Sequence, residues 1–203
     1  MVTIVGIGPG NKKFITTYAL ERIKEADVLV GGRRHLEEFK DIDCEKIMIN
    51  ASTDYHSILN KEGNIVILAS GEPSLYGIAE VILKYVDKKQ LEIIPGISSI
   101  QYMCAKLKIT MNDLAVVSLH GRTEDLVKKV KENKKVAIFT DDTHTPQFVA
   151  AMLKEENLQD RKIHVGENLS YDTERIYSFT VEELLNCNKK FDLNVVVITC
   201  GNI

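Results

Sequence analysis

Three short stretches hold the residues best suited to chemistry: Gly6-Ile7-Gly8-Pro9-Gly10, Ser70-Gly71-Glu72-Pro73-Ser74-Leu75-Tyr76-Gly77 and Pro95-Gly96-Ile97-Ser98-Ser99. Glycines let a backbone come close to a ligand, with no Cβ in the way. The serines add small hydroxyls. None of the three stretches pairs a nucleophile with a base, so the chemistry they suit is holding a small molecule rather than attacking it. The first stretch departs from the dinucleotide pattern G-x-G-x-x-G. Asn11 stands where the third glycine would be, and Pro9 removes an amide from the loop. Taken singly, each stretch also reads as a tight turn or a helix cap.

A second set of residues carries charge. Arg33-Arg34-His35 form a small basic cluster, and His120 and Arg122 lie after an apolar run. Either group reads equally as a solvated surface or as cationic donors for an anionic ligand. Glu167 reads as a structural carboxylate or as a ligand contact. Cys44, Cys104, Cys187 and Cys200 include no C-x-x-C pair and no zinc spacing with histidine, so no metal site is expected. They read as reduced thiols of a cytoplasmic protein.

The elements that must position these residues alternate strand and helix. Apolar runs at Val2–Val5, Val28–Val30, Ile65–Ala69 and Leu91–Ile94 read as strands. Helical spacing follows at Tyr18–Ala26, Arg33–Phe39 and Ile78–Val86, with Thr16 or Thr17 as a cap for the first. This order predicts parallel strands with helical crossovers. All three glycine-rich stretches then fall at carboxyl ends of strands, where open α/β sheets bind ligands. A break near Ile109–Asp113 is followed by a second cycle, with strands at Leu114–Leu119, Val136–Thr140 and Lys162–Val165. Glu174–Phe179 is expected to be antiparallel, and Val195–Thr199 to close the sheet. The reading is two α/β domains, 1–110 and 111–203.

Composition narrows the class. Hydrophobic residues make up 44% and charged residues 27% of 203, as in an ordinary globular protein. A formal net charge of -3 argues against a nucleic-acid partner held by phosphate contacts. No apolar run approaches the roughly 18 residues of a membrane span. No signal peptide is read at the start.

In order and approximate spacing, the three glycine-rich stretches resemble the signatures of the tetrapyrrole methylase family. That family commonly has aspartate where this chain has Asn11, and Gly-Asp-Pro where it has Gly71-Glu72-Pro73. The resemblance continues through Ala26–Leu36, Val117-Ser118-Leu119-His120-Gly121-Arg122, Gly166-Glu167-Asn168-Leu169-Ser170-Tyr171 and Glu174-Arg175-Ile176, and covers essentially the whole chain. These stretches look like the branch that methylates C5 of cobalt-precorrin-7 in cobalamin biosynthesis.

The resemblance implies a two-domain α/β fold, usually a homodimer, with S-adenosylmethionine in the interdomain cleft. It implies cofactor contacts from Gly8, Pro9, Ser70, Gly71, Glu72, Leu75, Ser98, Ser99 and Gly166. Arg33, His120 and Arg122 are expected to meet the carboxylates of the tetrapyrrole. His120 is the candidate for a base, since an unperturbed imidazole titrates near neutrality. Cobalt is expected to arrive with the substrate. A chain of this length leaves no room for the C15-methylating, decarboxylating domain of some relatives, so a separate enzyme is expected to supply that step. The alternatives are a methylase of the same fold acting at another corrin carbon or on diphthamide, and a nucleotide-binding module without activity.

Overall fold

The computed structural model describes residues 1–119 and 125–201. The chain divides into two compact units, Met1–Ser98 and Ser99–Ile203.

In the first unit the elements run β1 (Val2–Gly6), α1 (Thr17–Lys24), β2 (Val28–Gly31), α2 (Arg33–Glu38), β3 (Glu45–Met48), α3 (Tyr55–Leu59), β4 (Ile65–Ala69), α4 (Ala79–Ile82) and β5 (Leu91–Ile94). The strands form one sheet in the order β3-β2-β4-β1-β5. Every pairing in it is parallel. β1 and β4 are buried along their whole length, which is why they read as unbroken apolar runs. Val5, Leu29, Val66 and Leu68 face one side, with Ala19 and Ile23 of α1 over them. Ile4, Val30, Ile65 and Ile67 face the other, under Ile58 of α3 and Ala79 and Ile82 of α4. The chain therefore leaves β1 toward one face and β4 toward the other. These two strands are neighbours, so a topological switch point lies between their carboxyl ends, the place where such sheets open a crevice.

The second unit runs α5 (Ser99–Leu107), β6 (Leu114–Ser118), α6 (Leu126–Glu132), β7 (Lys135–Phe139), α7 (Pro146–Glu155), β8 (Arg161–Glu167), β9 (Arg175–Thr180), α8 (Val181–Leu185) and β10 (Asn194–Cys200). Its sheet order is β6-β7-β10-β8-β9. β6 and β7 are parallel; β10 is antiparallel to both β7 and β8, and β9 is antiparallel to β8. The expected antiparallel strand is present. The last strand, expected to close the sheet, instead occupies its centre. Both of its faces are needed: Val196 and Ile198 join the core beneath α6, α7 and α8, while Val195 and Val197 pack with α5.

The unit boundary also differs from the expected break near residue 110. Ile100, Met103 and Cys104 of α5 are buried with Ala137, Val195 and Val197, so α5 packs on the second sheet. α4 covers four residues of the helix read over Ile78–Val86. α8 was not expected, although Thr180 and Glu183 form a capping box at its start, each satisfying a backbone amide of the other's turn.

Candidate functional site

The three glycine-rich loops follow β1, β4 and β5, which are adjacent in the first sheet. They meet through their backbones. Gly8 and Gly71 form an antiparallel bridge, with the Gly71 amide donating to the Gly8 carbonyl at 2.8 Å. Gly6 and Gly96 lie so close to each other and to the Gly71 carbonyl that side chains are excluded at both. A Cβ on Gly6 would stand 2.5 Å from the Gly96 nitrogen, and one on Gly96 would stand 2.2 Å from the Gly71 oxygen. Contact of this kind between backbones leaves no room even for alanine. Gly8 and Gly71 also adopt φ of 77° and 63°, which other residues reach at a cost.

Two side chains secure these loops. The Glu72 carboxylate accepts the Ser74 amide at 2.9 Å with one oxygen and the Gly96 amide at 3.0 Å with the other. It thereby joins the second loop to the third. Asn11 Oδ1 accepts the Lys13 amide at 3.0 Å and caps a short 3-10 helix, Lys12–Phe14, after the first loop. Asparagine and aspartate serve equally well as caps, which accounts for asparagine at a place where aspartate is common. Around the loops Pro9 and Ser98 are buried, Leu75 is half-buried and Ser70 is exposed. Ser99 opens α5.

At the carboxyl end of β2, Arg33 is the exposed first residue of α2. His35, two residues on, is half-buried, and its Nδ1 has no hydrogen-bond partner among the described residues. Burial, reinforced by the neighbouring Arg34 guanidinium, lowers its pKa to about 4. The imidazole is therefore neutral at physiological pH.

In the second unit the end of β8 is held by side chains. Glu167 is 3% exposed. Its Oε1 accepts the Asp192 amide at 2.8 Å and faces the Lys189 ammonium at 3.1 Å, while Tyr177 Oη donates to Oε2 at 3.4 Å. Lys189 in turn lies over the Phe191 ring at 5.4 Å from its centroid. Beside this clamp is a cavity of about 780 Å³ whose lining includes Thr140, Asp141, Gln147, Lys190, Phe191 and Leu193. The loop after β8 holds Asn168 and Ser170 at φ of 48° and 69°. Glu174 closes it, accepting the Ser170 amide at 2.7 Å and pairing with Lys106 at 2.6 Å. Burial works against ionisation of Glu174, yet these partners hold its carboxyl below the usual range. Gly166 admits Met103 and Leu169: a Cβ there would stand 2.7 Å from Met103 Sδ. Among the described residues, no group of three or more His, Cys, Asp or Glu side chains is placed to hold a metal ion.

The family model described as Tetrapyrrole (Corrin/Porphyrin) Methylases matches residues 1–185. The chain belongs to the tetrapyrrole methylases. A curated relative in Salmonella typhimurium, named cobalt-precorrin-7 C(5)-methyltransferase, is 37% identical over 203 residues, 98% of each chain. Among solved structures, the precorrin-6Y methylase of Archaeoglobus fulgidus superimposes with a TM-score of 0.73 at 25% identity, covering 100% of this chain and 99% of the other. A uroporphyrin-III C-methyltransferase of Thermus thermophilus, complexed with S-adenosylhomocysteine, gives a TM-score of 0.80 at 18% identity, over 98% of this chain and 96% of that one. That likeness shows the fold.

In this tetrapyrrole methylase, Gly8, Pro9, Ser70, Gly71, Glu72, Leu75 and Ser98 come together along one sheet edge, with Arg33 at the end of another strand of the same sheet. Gly166 lies on a strand of the second unit. His120 and Arg122 lie outside the described residues. Sequence reasoning found the three loops but not their mutual contact. It assigned Glu72 to the cofactor without seeing its bonds to Ser74 and Gly96. Glu167 was left open between structural and ligand-facing roles, because its partners Asp192 and Lys189 are distant in the chain. The T-x-x-E pattern at Thr180 was the signal that could have revealed α8.

Proposed function

We propose that this chain transfers a methyl group from S-adenosylmethionine to C5 of cobalt-precorrin-7 in cobalamin biosynthesis. One observation carries the reading: the three family loops interlock at the switch point of the first sheet, within a chain that matches a C5-methylating relative over nearly its full length. S-adenosylmethionine supplies a methyl carbon already activated by a sulfonium. The loops suit such a donor, since they offer main-chain groups and small hydroxyls and no nucleophile–base pair. The work left to the protein is to orient two partners and exclude water, which lowers a barrier by several kcal/mol.

In this reading Gly8, Pro9, Ser70, Gly71, Leu75, Ser98 and Ser99 hold the donor. Glu72 and Gly166 shape the surroundings, as their contacts with Gly96 and Met103 suggest. Arg33 and Arg122 meet acetate and propionate carboxylates, for which a planar guanidinium is the better anchor. His120 is the proposed base. A separate enzyme methylates C15 and removes a carboxylate. The protein works as a homodimer in the cytoplasm, a reading supported by family likeness and by four free cysteines.

The deciding experiment is mass spectrometry of the product formed from cobalt-precorrin-7 and S-adenosylmethionine. A single added methyl group located at C5 is expected; an unchanged substrate, or a methyl at another carbon, would overturn the assignment. Sedimentation at micromolar concentration checks the dimer.

A further inference from the structure

We infer that Glu72 is a latch that sets the distance between the second and third loops, and that it acts on the donor through the backbone rather than by touching it. The inference rests on the reading of these loops as the donor site.

The geometry is specific. Both carboxylate oxygens are engaged: one accepts the amide of Ser74, two residues on, and the other reaches across to Gly96. Gly96 is also where the backbones crowd most. A Cβ there would meet Gly71 oxygen at 2.2 Å, so the third loop already touches the residue before Glu72. The Glu72–Gly96 bond joins these two loops through a side chain, at the residue where the glycine backbones crowd. The first loop is tied in by the Gly71–Gly8 bond. Movement of Glu72 is therefore passed to all three loops.

Side-chain length matters for the same reason. The carboxylate spans from its own loop to Gly96 while still capping Ser74. Aspartate, shorter by one methylene, keeps the charge and the local bond to Ser74 but falls short of Gly96 in this backbone. Glutamine keeps the length but replaces one acceptor oxygen with a two-donor NH2, so it cannot accept the two amides on separate atoms as the carboxylate does.

The test has two readouts. In the protein without ligand, amide exchange and the NMR shift of Gly96 report the latch directly. Glu72→Gln and Glu72→Asp are both expected to lose protection at Gly96. Isothermal titration should show roughly tenfold weaker S-adenosylmethionine binding in both variants, the loss expected for one hydrogen bond to a charged group. Tetrapyrrole affinity should be unchanged. If Glu72 instead touched the sulfonium through its charge, Glu72→Asp would bind the donor nearly as wild type; that result overturns the latch. So does an unaltered Gly96 amide in both variants. Failure of the wild type to bind S-adenosylmethionine would sink the reading of the site, while the Gly96 measurement would still decide the latch. Should Glu72→Gln fail to fold, Glu72→Asp gives both readouts.

Discussion

The two five-stranded sheets bring their strand ends together by opposite means. In the first, the strands are parallel and the ends of β1, β4 and β5 meet backbone to backbone at Gly6, Gly71 and Gly96. In the second, four of the five strands take part in antiparallel pairings, and side chains hold the ends: Glu167 to Asp192 and Lys189, Thr140 to Asn194, Gln147 to the carbonyls of Cys187 and Lys189. Backbone contact leaves no freedom for substitution but fixes spacing tightly. Side-chain ties can be exchanged for others of similar reach. The first arrangement suits a site that must meet one invariant small molecule; the second suits a frame whose details vary.

The strongest test of this contrast is Gly96→Ala. The new methyl has only backbone to push against, and overpacking of this kind costs about 3 kcal/mol. A fall in the urea midpoint is expected, with donor affinity reduced roughly a hundredfold or more. Normal donor binding would show that the loops adapt and would break the comparison. Glu167→Ala should cost less, about 2 kcal/mol, because the Asp192 amide and the exposed Lys189 ammonium lose a buried charged acceptor. Glu167→Gln should recover much of that loss in the same denaturation experiment, since an amide oxygen can still accept from Asp192. A larger loss than for Gly96→Ala would mean that the side-chain ties are the stiffer ones.

Each unit also holds a histidine kept neutral by burial. His35 is lowered to about 4, and His164, bonded to Ser178 and Thr199, is lowered by burial and then by Lys162. Below the ordinary value of 6.5 the unfolded chain takes up protons that the folded chain refuses. For His35, stability therefore falls as pH drops from 6.5 toward 4, at up to about 1.4 kcal/mol per pH unit; His164 acts in the same direction. The gap between denaturation curves at pH 7 and pH 5 should narrow in His35→Asn; an unchanged gap points elsewhere. The smallest effect is expected at the exposed Lys131–Glu156 pair, 2.6 Å apart. Lys131→Ala should shift stability by less than about 0.5 kcal/mol, checked by the same curves at low and high salt.

Much of the first unit was legible because a strand buried on both faces must be apolar throughout. Ile65–Ala69 and Val2–Val5 could be read as little else, and the glycine-rich stretches after them marked the edge. The central place of β10 was not legible. Its run of valines fits a central strand as well as an edge one, and only its pairing with β7 and β8 decides between them. α5 went to the wrong side of the expected break because its spacing says which face is buried but not against what. At the site, residue types pointed to the loops, while the roles of Glu72 and Glu167 depended on partners 24 and 25 residues away. Chain spacing alone does not encode such contacts.

The placement of β10 has a consequence for the order of assembly. As the chain leaves the ribosome, the first unit has all five strands available before α5 is made. The second has β6 and β7 as one parallel pair and β8 and β9 as a hairpin, with nothing between them. β10, the last of its five strands in chain order, must slot into that gap and pair on both sides at once. Until it does, β7 and β8 each present an open edge, the kind of surface that invites pairing with another chain. Maturation of the second unit is thus gated by its final strand, while the glycine-rich loops of the first already have the strands they depend on.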